Sequence, residues 1–138
     1  MKIQEAEYTE VLKLRHESMY PDASIDLAKV ENDDQGIHLG AFEGGEMVAC
    51  VSIFLEGRNL QFRKLATKPK HRNKGYATEL IKYLIDYHRQ FQFDRLWANA
   101  RQEAVSIYEK LDFKQTEETF TKNGHDYVIV EYCGAMEV

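Results

Sequence analysis

Between Gly75 and Phe91 the side chains of Ala77, Leu80, Ile81, Leu84, Ile85, His88 and Phe91 recur at spacings of three and four. That period places them on one face of an α-helix. Before it, Leu60 to Thr67 has Leu60, Phe62 and Leu65-Ala66 as its apolar members; after it comes a short apolar strand, Arg95-Leu96-Trp97-Ala98-Asn99-Ala100. Strand, helix, strand is a βαβ unit, so the two strands should run parallel with a right-handed crossover. The apolar alternation slips between Phe62 and Leu65, which predicts a β-bulge there.

The flanking segments add antiparallel pairs. Ile37 to Phe42 and Met47 to Leu55 read as strands joined through Glu43-Gly44-Gly45-Glu46, and Gly57-Arg58-Asn59 turns the chain into Leu60. Gln115 to Phe120 and Tyr127 to Tyr132 read as a second hairpin through Asn123-Gly124. Glu7 to Met19 is expected to be a helix ended by Pro21, with a second short helix over Ser24 to Val30 capped by Ser24. Glu103 to Leu111 is a further short helix, with Ala104, Ile107, Tyr108 and Leu111 on its apolar side. The expected fold is therefore mixed α/β (α+β): a central, mostly antiparallel sheet with one parallel βαβ unit and helices on both faces. With two Pro, eight Gly and no low-complexity tract, no linker divides the chain, and a single domain is expected over residues 1–138.

Charge narrows the function classes. The formal net charge is -5, which argues against nucleic-acid binding over the whole surface. Yet six of the 18 basic residues, Arg63, Lys64, Lys68, Lys70, Arg72 and Lys74, fall in one stretch that has no Asp or Glu. Such a segment suits an anionic ligand held at one place, although a solvated basic loop has the same composition. Cys50 and Cys133 lie outside any CxxC pair, and the histidines at 16, 38, 71, 88 and 125 have no metal-ligand spacing. His88 reads as a core residue. The polar, acidic opening Met1-Lys2-Ile3-Gln4-Glu5 is unlike a secretory signal, and Val48 to Leu55 is far short of a bilayer span, so a cytoplasmic location without membrane association is expected.

Chemistry concentrates in Lys68-Pro69-Lys70-His71-Arg72-Asn73-Lys74-Gly75-Tyr76-Ala77, which joins a strand to the start of the strongest helix. The first helical turn leaves backbone N–H groups without partners, and the helix dipole adds partial positive charge. Such an end accepts an anion, and a glycine lets phosphate oxygens approach the main chain. Neither GxxxxGK[ST] nor GxGxxG is present, so a nucleoside triphosphatase and a dinucleotide-binding domain are both disfavoured.

The pattern Arg72-x-x-Gly75-x-Ala77 resembles the pyrophosphate-binding signature (R/Q-x-x-G-x-G/A) of the GNAT superfamily of acyl-CoA-dependent N-acyltransferases. Ala104-Val105-Ser106-Ile107-Tyr108-Glu109-Lys110-Leu111-Asp112-Phe113 is similar to that family's A-x-x-x-Y-x-K-x-G-F segment, and the element order agrees over nearly the whole chain. Departures are Arg101, where many members have Asn three residues before the Ala (Asn99 is close by), and Asp112 in place of Gly, a residue that tolerates left-handed backbone.

The resemblance implies direct acetyl transfer from acetyl-CoA to an amine in a ternary complex, with no covalent acyl-enzyme and no metal. Main-chain groups of Leu65, Ala66 and Thr67 would pair with the pantetheine arm, and one N–H there would steady the oxyanion. Arg72, Asn73, Lys74, Gly75, Tyr76, Ala77 and Thr78 would hold the pyrophosphate, with Asn99 and Arg101 toward the pantetheine or the 3′-phosphate. Tyr108, by its spacing alone a packed tyrosine, matches the position that protonates the leaving thiolate. The base stays open among Glu118, His125 and His38. Rival readings are a non-catalytic acyl-CoA sensor of the same fold and a nucleic-acid-binding module using residues 63–74. The acceptor amine, the acyl chain length and the oligomeric state are open, a homodimer through strand edges being common among similar proteins.

Overall fold

Both central residues of the turn between Glu43 and Glu46 have positive φ, 56° at Gly44 and 85° at Gly45. That geometry closes a tight hairpin, and glycine adopts it without a steric cost. In the computed structural model, which describes residues 1–134, this turn joins β2 (Ile37–Glu43) to β3 (Glu46–Glu56). Their antiparallel register runs from Ile37↔Ile53 to Glu43↔Glu46, with one slip between Ala41 and Phe42. β3 is buried from Met47 to Phe54, as a central strand should be.

The chain divides into two compact units, one of Met1–Phe54 with Phe62–Tyr83, the other of Leu55–Gln61 with the residues from Leu84 onward. In the first, α1 (Tyr8–Met19) lays Val11 and Leu14 against Met47, Cys50 and Ala66. The next position on that stripe is Arg15, fully buried. Its guanidinium donates to both carboxylate oxygens of Asp33 at 2.8 and 3.0 Å, to the Ala28 carbonyl and to Ser52 Oγ. A charge out of water survives only with such partners.

Ser24 caps as expected, accepting from the Asp26 N–H, but the element it starts is a single 3-10 turn, Ile25–Ala28. A strand absent from the sequence expectation, β1 (Lys2–Glu5), pairs antiparallel with β2 from Lys2↔Phe42 to Glu5↔Leu39. Its side chains are mostly exposed, so no apolar alternation marks it.

β4 (Asn59–Thr67) shows a backbone break where the bulge was expected: Lys64 has φ 55°. In the second unit the first residues of β4 pair in parallel with β5 (Arg95–Arg101), from Asn59↔Arg95 to Gln61↔Trp97. β7 (His125–Tyr132) then pairs antiparallel with both β5 and β6 (Phe113–Lys122). The hairpin turn has φ 53° at Asn123 and 77° at Gly124, as the Asn-Gly pair predicts. Hydrogen-bonded neighbours follow the order β1-β2-β3-β4-β5-β7-β6, a mixed sheet with one parallel pair.

The crossover helix is α2 (Tyr76–Gln90). Its C-terminus closes with Phe93 N–H on the His88 carbonyl and Gln92 N–H on Arg89, Gln92 being left-handed at φ 53°. Arg58 adds side-chain donors to the Phe91 and Gln92 carbonyls. Phe91, expected on the apolar face, keeps its helical bond to the Tyr87 carbonyl but is 53% exposed and packs on the Tyr87 ring, centres 4.8 Å apart. His88 is buried, but its Nδ1 has no hydrogen-bond partner among the described residues.

In α3 (Val105–Glu109) the expected apolar face is also displaced: Val105 is buried, whereas Ile107 is 49% exposed. A 3-10 turn over Gln102–Ala104 feeds this short helix and winds more tightly than 3.6 residues per turn, rotating the covered face. Asp112 takes φ 67° just after it, as expected of an Asp in glycine's place. Among the described residues no helix is long and apolar enough to cross a membrane.

Candidate active site

The first half of the candidate site lies wholly in the first unit. A 3-10 turn, Pro69–His71, leads to Arg72, whose Nη2 donates to the carbonyl of Ser18 at 2.9 Å and to its Oγ at 3.2 Å. Ser18 Oγ in turn donates to the Thr67 carbonyl at 2.7 Å. One of the main-chain groups expected to meet the pantetheine arm is thus already engaged, and the C-terminal turn of α1 is tied to the end of β4.

Asn73 and Gly75 have φ of 63° and 87°, which bend the loop into α2. The first helical hydrogen bond runs from Glu79 N–H to the Gly75 carbonyl, so the amides of Tyr76, Ala77 and Thr78 precede the ladder. A Cβ at Gly75 would meet no atom within 4 Å. The space above this helix start is open.

Two carboxylates of the β2–β3 turn brace the loop. Glu46 pairs with Lys68 at 3.1 Å, Lys70 at 3.4 Å and His71 at 3.3 Å. The Lys68 hydrogen bond, with Lys70's bond and charge, holds the Glu46 carboxyl at about 2. Glu43 faces the Tyr76 phenol; burial and then that carboxylate raise the phenol's pKa. Among the described residues no carboxylate forms an ion pair with Arg63, Lys64, Arg72 or Lys74. Among the described residues, four of the six clustered cations therefore have no acidic partner.

The second unit carries the other expected residues. Trp97, Asn99 and Arg101 alternate with buried Leu96, Ala98 and Ala100, so Asn99 and Arg101 share the more open face of β5. Tyr108 on α3 packs edge-on to Phe113, ring centres 5.8 Å apart, and burial raises its phenol above the usual value. Glu118 is exposed in the irregular stretch of β6 between Gln115 and Thr119, where Thr116 Oγ1 accepts from its N–H.

His125 pairs with Lys122 at the hairpin tip, whereas Phe113 pairs with Tyr132 at the opposite end. At ~3.3 Å per residue, the length of β7 from His125 to Tyr132 sets the two ends roughly 23 Å apart, so His125 and the ring beneath Tyr108 occupy different ends of the hairpin.

His38, in the first unit, has both ring nitrogens engaged: Nε2 at 2.9 Å from the Asp33 carbonyl and Nδ1 at 2.7 Å from Ser52 Oγ. Facing a carbonyl, Nε2 must carry the proton. Nδ1 then accepts from the Ser52 hydroxyl, which itself accepts from Arg15. The lone pair a base would use is taken.

Sequence reasoning missed Ser18, Tyr20, Glu43 and Glu46, which reach the loop and strand from distant positions and have no local motif. Among the described residues no group of three or more His, Cys, Asp or Glu could hold a metal ion.

Residues 2–113 match the model of the acetyltransferase (GNAT) family. A Bacillus subtilis (strain 168) protein called uncharacterized N-acetyltransferase YitI is 27% identical over 129 residues, 87% of each chain. The ribosomal-protein-S18-alanine N-acetyltransferase of Escherichia coli superposes with a TM-score of 0.76 at 18% identity, over 95% of this chain and 92% of that one. A GNAT family acetyltransferase from Elizabethkingia anophelis, solved with acetyl-CoA bound, gives a TM-score of 0.72 at 17% identity, over 95% and 96%. At these identities the structural likeness is one of fold.

Proposed function

The chain belongs to the acetyltransferase (GNAT) family, and from that premise we propose that it moves an acetyl group from acetyl-CoA directly to an amine within a ternary complex. The observation that carries the reading is the start of α2: amides ahead of the helical ladder, clear space over Gly75, and Arg72 and Lys74 without acidic partners among the described residues. These are the features a diphosphate requires, since oriented N–H groups and nearby cations stabilise it without moving.

In this reading Arg72 to Thr78 hold the pyrophosphate, and Asn99 and Arg101 contact the pantetheine or 3′-phosphate side. The main chain at Leu65 to Thr67 aligns the arm, and an amide there opposes the negative charge that develops on the thioester oxygen. Tyr108 supplies the proton taken up by the departing sulfur. Burial favours its neutral, proton-bearing form, which is the form a proton donor needs.

The attacking amine must shed a proton, to water or to Glu118, which stands in solvent at the β6 irregularity. His125 at the hairpin tip and His38 within its hydrogen bonds are poorer acceptors for the reasons of geometry given above.

The test is calorimetric titration with coenzyme A, paired with thiol release from acetyl-CoA against a panel of amines. Coenzyme A binding with thiol release is the expected result. Binding without release from any amine would instead indicate a sensor domain, and absence of binding would remove the assignment.

A further inference from the structure

We propose that Lys64 is a recognition residue for an anionic group on the acceptor, so that the enzyme takes amines that also carry a carboxylate, free amino acids being the simplest case. The inference rests on the acetyl-transfer reading above and adds to it the class of the second substrate.

Lys64 departs from its strand in two ways. Its φ of 55° is left-handed, a conformation that residues with a side chain rarely adopt. It is also half-buried, yet no carboxylate forms an ion pair with it among the described residues. Its ammonium donates instead to the Tyr20 hydroxyl at 2.7 Å, with the Tyr20 ring centre 5.1 Å away. An ammonium has three donors, and a phenol satisfies one without neutralising charge. A cation partly stripped of water gains most from an anion brought to it. Lys68 and Lys70 differ in this respect, because Glu46 already serves them.

Position separates Lys64 from the phosphate loop. Along α1 and β4, Ser18 meets Thr67 and Arg72, whereas Tyr20 meets Lys64. Lys64 therefore sits three residues, about 10 Å, back along β4 from the Arg72 end. With a diphosphate at Arg72 and the arm running from Thr67 toward Leu65, Lys64 lies beyond the reacting end. An anion bound there belongs to the acceptor, not to coenzyme A.

Matched amines test this: L-leucine against isopentylamine and L-phenylalanine against phenethylamine. Each kcat/KM is corrected for the neutral fraction of that amine at the assay pH. The wild-type protein is expected to favour the carboxylate-bearing member by roughly tenfold or more, the worth of one charge-assisted hydrogen bond. Lys64→Met should erase that preference through the acceptor's KM, moving the KM of acetyl-CoA far less, and Lys64→Arg should keep it. A wild-type preference for the plain amines, or a carboxylate preference that survives Lys64→Met, overturns the proposal. Failure of the wild-type protein to bind coenzyme A would overturn the underlying reading instead.

Discussion

Arg72 reaches the C-terminal turn of α1 and donates to the carbonyl oxygen of Ser18 at 2.9 Å, although 54 residues separate them in the chain. A helix C-terminus carries partial negative charge, so it is a natural resting place for a guanidinium. The contact fixes where Arg72 stands beside the start of α2.

Arg72→Ala should weaken coenzyme A binding by roughly tenfold or more, the scale of a charge-assisted contact to phosphate. The KM of acetyl-CoA should rise while kcat at saturation changes little. Ser18→Ala should do less, because the main-chain carbonyl that holds Arg72 remains. Calorimetry and steady-state kinetics on both variants check the order.

Gly75→Ala separates backbone from ligand effects. At φ 87° an alanine is strained by about 1–2 kcal/mol, which should appear as a fall in Tm of a few degrees. Its Cβ would meet no protein atom within 4 Å, so packing of the free protein is otherwise unaffected. Coenzyme A affinity should fall further than stability does, because that open space is where the diphosphate is proposed to lie.

Tyr108→Phe should lower kcat by about a hundredfold, the usual worth of a positioned acid, with coenzyme A affinity nearly intact. Burial raises the phenol's pKa from 10.0. Loss of the protonated acid should therefore come at higher pH than for an exposed tyrosine, and an alkaline fall that Tyr108→Phe leaves unchanged belongs to another group. A pH–rate profile of both proteins checks the assignment, and unchanged turnover in the variant would remove the acid role.

The Arg15–Asp33 pair governs acid stability. Burial alone would raise the Asp33 carboxyl; hydrogen bonds from Arg15, Tyr8 and the Val30 N–H, with Arg15's charge, bring it from 3.8 down to about 2. A depressed carboxyl stabilises the fold above its unfolded value and loses that contribution as pH falls through the folded one. About 2 kcal/mol should therefore disappear between pH 4 and pH 2. Asp33→Asn, which leaves Arg15 buried without its counter-charge, should cost about 3–5 kcal/mol at neutral pH and flatten that pH dependence. Urea midpoints measured across the range decide it.

Glu46→Gln should leave the fold intact but free Lys68, Lys70 and His71 together. Amide hydrogen exchange over residues 68–72 should then quicken relative to β3. Equal protection in both proteins would show that the carboxylate does not brace the loop.

The elements that could be read from the chain were those whose cause is local. The α2 stripe, the Gly44-Gly45 and Asn123-Gly124 turns, the Ser24 cap and the left-handed Asp112 each follow from neighbours within a few residues. β1 could not be read, because its side chains are mostly exposed and its pairing is the ladder with β2, distant in the chain. A helical period assigns Phe91 to the apolar face, yet it is exposed, because a period cannot say how far the covering surface extends past a helix end; Ile107 is rotated off its face by the preceding 3-10 turn.

The candidate site divides in the same way. Arg72, Gly75 and Ala77 stand at fixed offsets at the head of one helix, so the sequence alone marked that helix start and its resemblance to the family's pyrophosphate signature, which makes it the candidate anion site. Glycine's backbone freedom and the unpaired amides of a helix start are local properties. The Ser18, Glu46 and Tyr20 contacts, the closed hydrogen bonds of His38 and the unneutralised charge of Lys64 were decided only by tertiary structure. Burial and proximity belong to residues far apart in the chain, and an electrostatic partner cannot be read until folding brings it within reach.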